Sequence, residues 1–265
     1  MSEDNHSVSL DMLYSQLSKI DSGITELFKK RRLTKRQLTE LMAGGDNVLT
    51  ANILTSLQKL STESAENGED ALEIWRSTFP TDIRQTGLKK VLVSGSESLR
   101  IWDQARALFG HDVPMSFEND PREALTLCAD QPDCIVVVGW MTLAGSGQWW
   151  PVLNETRFQH LRISGVWPVS KDLPPYAAIV GHGPLNTPAG HATILIAHDD
   201  HHRVSRIFSE FDLKVFEFGR ARSLVLFEID GRLTDEDPRV KAAKVAGLDG
   251  LRVVGALPRY NRPES

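Results

Sequence analysis

Cysteine is nearly absent from this sequence: of 265 residues only Cys128 and Cys134 are thiols. Two thiols cannot make a disulfide framework, and positions 128 and 134 do not have the CxxC spacing of a metal clamp. They read as small apolar residues flanking a buried strand. Long apolar runs are missing too. No stretch approaches the ~20 apolar residues that a membrane span requires. The opening MSEDNHSVSLD is polar and acidic, unlike a secretion signal, so a cytoplasmic location is expected. Positive charge is not in excess. Lys+Arg 30 against Asp+Glu 35 gives −5, which argues against a nucleic-acid phosphate track but leaves room for a local cationic pocket. Internal repeats and low-complexity segments are lacking. The densest ligand-type run is His198-Asp199-Asp200-His201-His202. Adjacent residues rarely converge on one ion, so it reads as a loop with an aspartate cap, and no metal or cofactor is expected.

What is present suits a globular chain of two or three units: 41% hydrophobic and 25% charged residues. Leu10, Leu13, Leu17, Ile20, Ile24 and Leu27 recur at intervals of three and four, and the pattern continues through Arg31, Thr34, Leu38 and Leu41. This predicts one long helix with a narrow apolar seam. Gly44-Gly45-Asp46-Asn47 should end it. A second helix is expected over 49–60, a polar acidic loop over 61–70, and a third helix from Ala71 that Pro80 kinks or stops. Three such helices cannot cover both sides of the seam, so a homodimer through the N-terminal helices is expected. From Lys90 strands and helices alternate: strand 90–93, helix 97–109, strand 113–117, helix 121–129, an unbroken apolar strand 134–140, helix 147–158 and strand 161–169. Beyond the Pro/Gly-rich stretch 182–190 come strand 192–197, helix 202–211, strands 213–218 and 224–229, helix 238–246 and strand 251–256. That βαββαβ order is the ferredoxin-like plan. Ala144-Gly145-Ser146-Gly147 reads as a tight turn, and Trp149-Trp150 as core.

Four patches follow one another in an informative order. They are LYSQLSKIDSGITELFKKRR (13–32), IWDQARALFGHDVPM (101–115), PYAAIVGHGP (175–184) and DPRVKAAKVAGLDGLRVVGALPRY (237–260). Together they resemble the bifunctional chorismate mutase–prephenate dehydratase family of aromatic amino-acid biosynthesis. The resemblance implies a fold of class α plus α/β: a helical chorismate mutase-like domain (1–87), a truncated dehydratase-like α/β lobe (88–181) and a ferredoxin-like ACT-like domain (190–260). It implies chorismate as the small-molecule partner, while the charge balance and the lack of long apolar runs lead us to expect no nucleic acid and no membrane as partners. The family's Thr-Arg-Phe precedes the closing strand. Here that place reads Pro174-Pro175-Tyr176, and proline offers no hydroxyl, so dehydratase activity is not expected. Thr156-Arg157-Phe158 lies upstream, outside that place.

Conversion of chorismate to prephenate is an intramolecular rearrangement. It needs a compact bound conformer and stabilisation of charge on the ether oxygen, with no covalent intermediate. Guanidinium forks suit the substrate's carboxylates. Arg31 falls where the seam asks for an apolar residue. It is either a carboxylate ligand or a snorkelling side chain of the run Lys29-Lys30-Arg31-Arg32. The resemblance places Arg31 at a substrate arginine, with Thr81 and Gln85 as hydroxyl and amide donors four residues apart. Tyr14 takes the place of an arginine offered by a partner subunit. The lysine near the ether oxygen falls on or near Met42, with Lys35 or Arg36 as a substitute after a local shift. Asp46 is an acidic contact or a helix cap. The Arg-Glu pair opening the second helix reads Leu49-Thr50. Two cations and a carboxylate are thus replaced, implying weakened turnover. In the ACT-like end, Asp199, His202 in a glycine's place, and Arg220 are what remains of an effector site. The alternative reading is a non-catalytic regulatory or sensing relative that keeps the scaffold.

Overall fold

A computed structural model describes residues 10–42, 88–95, 97–111, 113–140, 148–167, 176–182 and 191–258. The chain divides into two units, residues 1–46 and 47–265.

The first unit holds one helix, α1 (Leu10–Met42), of 33 residues. At 1.5 Å per residue it is about 50 Å long. Its hydroxyls bond back one turn, Ser22 Oγ to Ser18 O and Thr25 Oγ1 to Asp21 O, both at 2.9 Å. The seam Leu10, Leu13, Leu17, Ile20, Ile24 and Leu27 is exposed along its whole length. The helices expected over 49–60 and from Ala71 lie outside the described residues.

The second unit is built on nine strands: β1 (Lys90–Ser94), β2 (Met115–Phe117), β3 (Cys134–Gly139), β4 (Leu161–Trp167), β5 (Ala177–His182), β6 (His191–His198), β7 (Val215–Ala221), β8 (Leu224–Asp230) and β9 (Asp249–Pro258). The helices are α2 (Ser98–Phe109), α3 (Pro121–Ala129), α4 (Val204–Ser209) and α5 (Pro238–Val245). All strands join one sheet in the order β2-β1-β3-β5-β4-β9-β6-β8-β7. β1 pairs parallel with β2 and β3, and β4 pairs parallel with β9. The other neighbours are antiparallel. The last six elements run β6-α4-β7-β8-α5-β9 and lie side by side as β9-β6-β8-β7.

Local chemistry explains the elements that position the rest. β3 is apolar throughout because both its faces are covered. α3 starts where Asp120 Oδ1 accepts the Arg122 N–H at 2.8 Å and Pro121 supplies a preset φ. The segment expected as a helix over 147–158 is instead two 3-10 turns, Trp150–Asn154 and Thr156–Phe158. Pro151 cannot donate within a longer α-helix, and Glu155 breaks the run with an extended backbone (φ −74, ψ 143). These turns hold Trp150, Leu153 and Phe158 in a core that also takes in Val136, Ile194 and Val254, so one apolar layer runs beneath both halves of the sheet. A second cluster lies under α2, around Val91, Ile101, Phe109 and Val137, and a third packs Phe208, Phe227, Val240 and Val253. Cys128 and Cys134 are buried free thiols at the end of α3 and the start of β3.

β4 and β9 meet closely. Ile163 stands opposite Gly255, and a Cβ at position 255 would lie 2.6 Å from Ile163 Cβ and 2.7 Å from its carbonyl oxygen. Only glycine permits that approach. Among the described residues no helix is long and apolar enough to cross a membrane.

Candidate functional site

Arg31 lies on α1 one turn beyond Leu27 and is half-buried, whereas most of the described α1 residues are exposed. Lys35 follows one turn later on the same helix. Tyr14 is exposed, and 17 positions (31 − 14) separate it from Arg31. At 1.5 Å per residue that is about 25 Å, too far for one small molecule to touch both. Only α1 of a second copy could bring a Tyr14 to an Arg31. Asp46, Thr81 and Gln85 lie outside the described residues.

Of the three residues expected at an effector site, Asp199 and Arg220 come together. Asp199 is buried at the end of β6. Its Oδ1 accepts the Arg203 N–H at 2.8 Å and its Oδ2 the Val204 N–H at 3.2 Å, so it holds the main chain entering α4, although the N-cap position itself is Arg203 and not an aspartate. Arg220, on β7, donates from Nη1 to the Asp199 carbonyl at 2.7 Å, and its Nη2 lies 3.5 Å from Asp199 Oδ2. The same guanidinium forks onto Glu217, Nε to Oε1 at 3.1 Å and Nη2 to Oε2 at 3.0 Å. Burial pushes the Asp199 carboxyl up, but the two main-chain donors and Arg220 outweigh it, and the net shift is downward. Burial likewise opposes the Arg220 charge, and Glu217 and Asp199 more than restore it. Asp199 and Arg220 therefore engage each other. His202 is exposed and has φ +53, the left-handed backbone that glycine favours, in the place where the resemblance sets a glycine.

Beside this corner lies a group that sequence reasoning missed. Asn154 Nδ2 donates to His198 Nε2 at 3.3 Å, and His198 Nδ1 lies 3.0 Å from Ser223 Oγ. Gly250, at φ +61, lets the ring pass: a Cβ there would be 3.1 Å from His198 Cδ2. With the amide donating into Nε2, the ring proton is on Nδ1 and the serine oxygen accepts it. That is a link between a 3-10 turn, β6 and the β7–β8 hairpin, not an activated nucleophile. The members are 44 and 25 residues apart, so no local signal could have found them.

At the place of the family's Thr-Arg-Phe, the Tyr176 hydroxyl bonds to Glu97, and the Arg100 guanidinium lies 3.9 Å from the Tyr176 ring centroid. The upstream tripeptide is structural, since Arg157 pairs with Asp130 at 2.8 Å and Phe158 is core. Among the described residues no group of three or more His, Cys, Asp or Glu is placed to hold a metal ion.

No protein-family model and no curated protein matches the chain. Several solved structures are similar to it, among them these two. One is GqqA, described as a novel type of quorum quenching acylase, at 12% identity and a TM-score of 0.43, covering 64% of this chain and 94% of that one. The other is prephenate dehydratase from Streptococcus mutans, at 12% identity and a TM-score of 0.39, covering 65% of this chain and 100% of that one. With TM-scores below 0.5, both are distant neighbours in shape to this mixed α/β chain.

Proposed function

We propose that this chain is a chorismate-mutase-type protein of aromatic amino-acid biosynthesis, with weakened turnover and no dehydratase activity, whose site forms when α1 pairs with that of a second copy. The observation that supports it is a half-buried Arg31 in line with an exposed apolar seam. Covering that seam removes large apolar side chains from water, each contributing about 1.5–3 kcal/mol when fully buried. It would also enclose the guanidinium, which then favours an anionic guest. Weak turnover follows from Tyr14 and Met42 standing where cations are expected and Leu49-Thr50 where an Arg-Glu pair is expected. Removing one such donor typically slows a reaction by roughly a hundredfold or more.

The test is turnover of chorismate to prephenate by the purified full chain, beside Arg31→Ala. Slow conversion is expected, falling about a hundredfold in the variant. Equal rates in the two proteins would remove the catalytic reading and leave a non-catalytic sensing relative.

A further inference from the structure

Two arginines meet at the joint between the halves of the sheet. Arg162 is on β4, and its Nη1 donates to the carbonyls of Gln159 and, at 2.8 Å, of Leu161. Arg252 is on β9, and it donates from Nη1 to Leu153 O at 2.6 Å and from Nη2 to Gln159 O at 2.7 Å. Both guanidiniums thus converge on the single oxygen of Gln159. These partners are all neutral main-chain carbonyls, which carry no charge to offset either cation. The carboxylate that faces them is Asp235, and its Oδ1 is engaged by the Val253 N–H at 2.8 Å. Two cations therefore share one carboxylate. Arg252 is pushed down to about 10, first by burial and then by the charge of Arg162. Burial also lowers Arg162, with Asp235 opposing it.

Two half-buried like charges drawn to one acceptor are unfavourable unless an anion completes the group. A guanidinium has five N–H donors in a planar fork. Arg162 commits only Nη1, leaving the Nε–Nη2 edge, whose two parallel donors match the two oxygens of a carboxylate or phosphate.

We infer that the joint where β4, β9 and the 3-10 turns meet binds a small oxyanion, a carboxylate or a phosphate, on the Nε–Nη2 edge of Arg162 with Arg252 beside it. Such a ligand neutralises the surplus cation. It also tightens the joint, because Leu153 and Gln159 belong to the turns before β4 while Arg252 belongs to β9. The inference concerns the sheet unit and stands apart from the mutase reading, which concerns α1.

The experiment titrates the full chain with inorganic phosphate and, separately, with malonate, by calorimetry and by thermal unfolding, against sodium chloride at matched ionic strength. Saturable binding of at least one anion is expected. Phosphate alone would assign a phosphorylated ligand, malonate alone a carboxylate, and both an oxyanion of either kind. Arg162→Gln should weaken binding at least tenfold. Arg162→Lys, which keeps the charge and loses the fork, should weaken it less and serves if the glutamine variant does not fold. Asp235→Asn keeps an acceptor for Val253 and removes the competing charge, so it should tighten binding severalfold, an effect that a purely structural clamp would not show. The inference is overturned if neither anion exceeds the chloride control, or if Arg162→Gln and Arg162→Lys both bind as the native protein does.

Discussion

Asp199 serves three donors with one carboxylate: the first N–H groups of α4 and the guanidinium of Arg220. Its folded-state carboxyl is held below its ordinary value despite burial. The stability it contributes is therefore fully present above the unfolded pKa of about 3.9 and is lost as pH falls through the lower folded value. Asp199→Asn is expected to be about 2 kcal/mol less stable than the native protein at pH 7, combining a weakened hold on the main chain entering α4 with an arginine left short of a partner. That deficit should shrink towards zero at a second, acid pH below the lowered folded-state value, where the native carboxyl is also neutral. Urea unfolding of both proteins at the two pH values checks this, and a deficit that is the same at both would contradict it. At this scale the sequence is only partly legible. An aspartate ahead of a short helix announces that it will take up main-chain donors there, although the N-cap position itself falls on Arg203. That Arg220 reaches it depends on the β7–β8 pairing, and that Arg162 and Arg252 converge on Gln159 depends on β4 lying beside β9. Neither juxtaposition leaves a trace in residue spacing.

Elements were more legible than their neighbours. The helix expected over 121–129 is found as Pro121–Ala129, because Asp120 and Pro121 mark its start by local chemistry. The helix expected over 202–211 shrinks to Val204–Ser209, with left-handed residues at His202 before it and Asp212 after it. The 147–158 segment misled because its apolar residues fit a helical count, while Pro151 decides the backbone. Alternation along a strand reports that it is buried but not which strand it adjoins, so the β4–β9 contact could not be read. Gly255 is the residue on which that contact depends. Gly255→Ala is expected to force main chain from main chain and destabilise the sheet unit by about 3 kcal/mol, at the upper end of overpacking costs. Urea denaturation should also show the single transition separating into two as the halves lose their joint. An unchanged midpoint would show that β4 and β9 yield easily.

For the whole molecule, the exposed seam of α1 has the largest consequence. Six large apolar side chains in a row predict association in water. Leu17→Asp combined with Ile24→Asp should weaken self-association at least a hundredfold while leaving the melting of the sheet unit unchanged, since α1 falls in a unit of its own. Light scattering across micromolar concentrations measures it, and a native protein that is monomeric throughout would remove the paired-helix site. Of the residues proposed for the mutase site, Arg31 was legible from its break in the apolar seam, and the others only through resemblance. On α1, Arg31 is half-buried in line with leucines and isoleucines, and Tyr14 is exposed.

β9 is last in chain order among the described strands yet lies inside the sheet, between β4 and β6. During synthesis, eight strands leave the ribosome before the one that bridges them. Until residue 258 emerges, β4 and β6 each present an unsatisfied edge to solvent, and no amount of local order closes either. The nascent chain is therefore most vulnerable to aggregation just before β9 arrives, and the two halves of the sheet join late in folding.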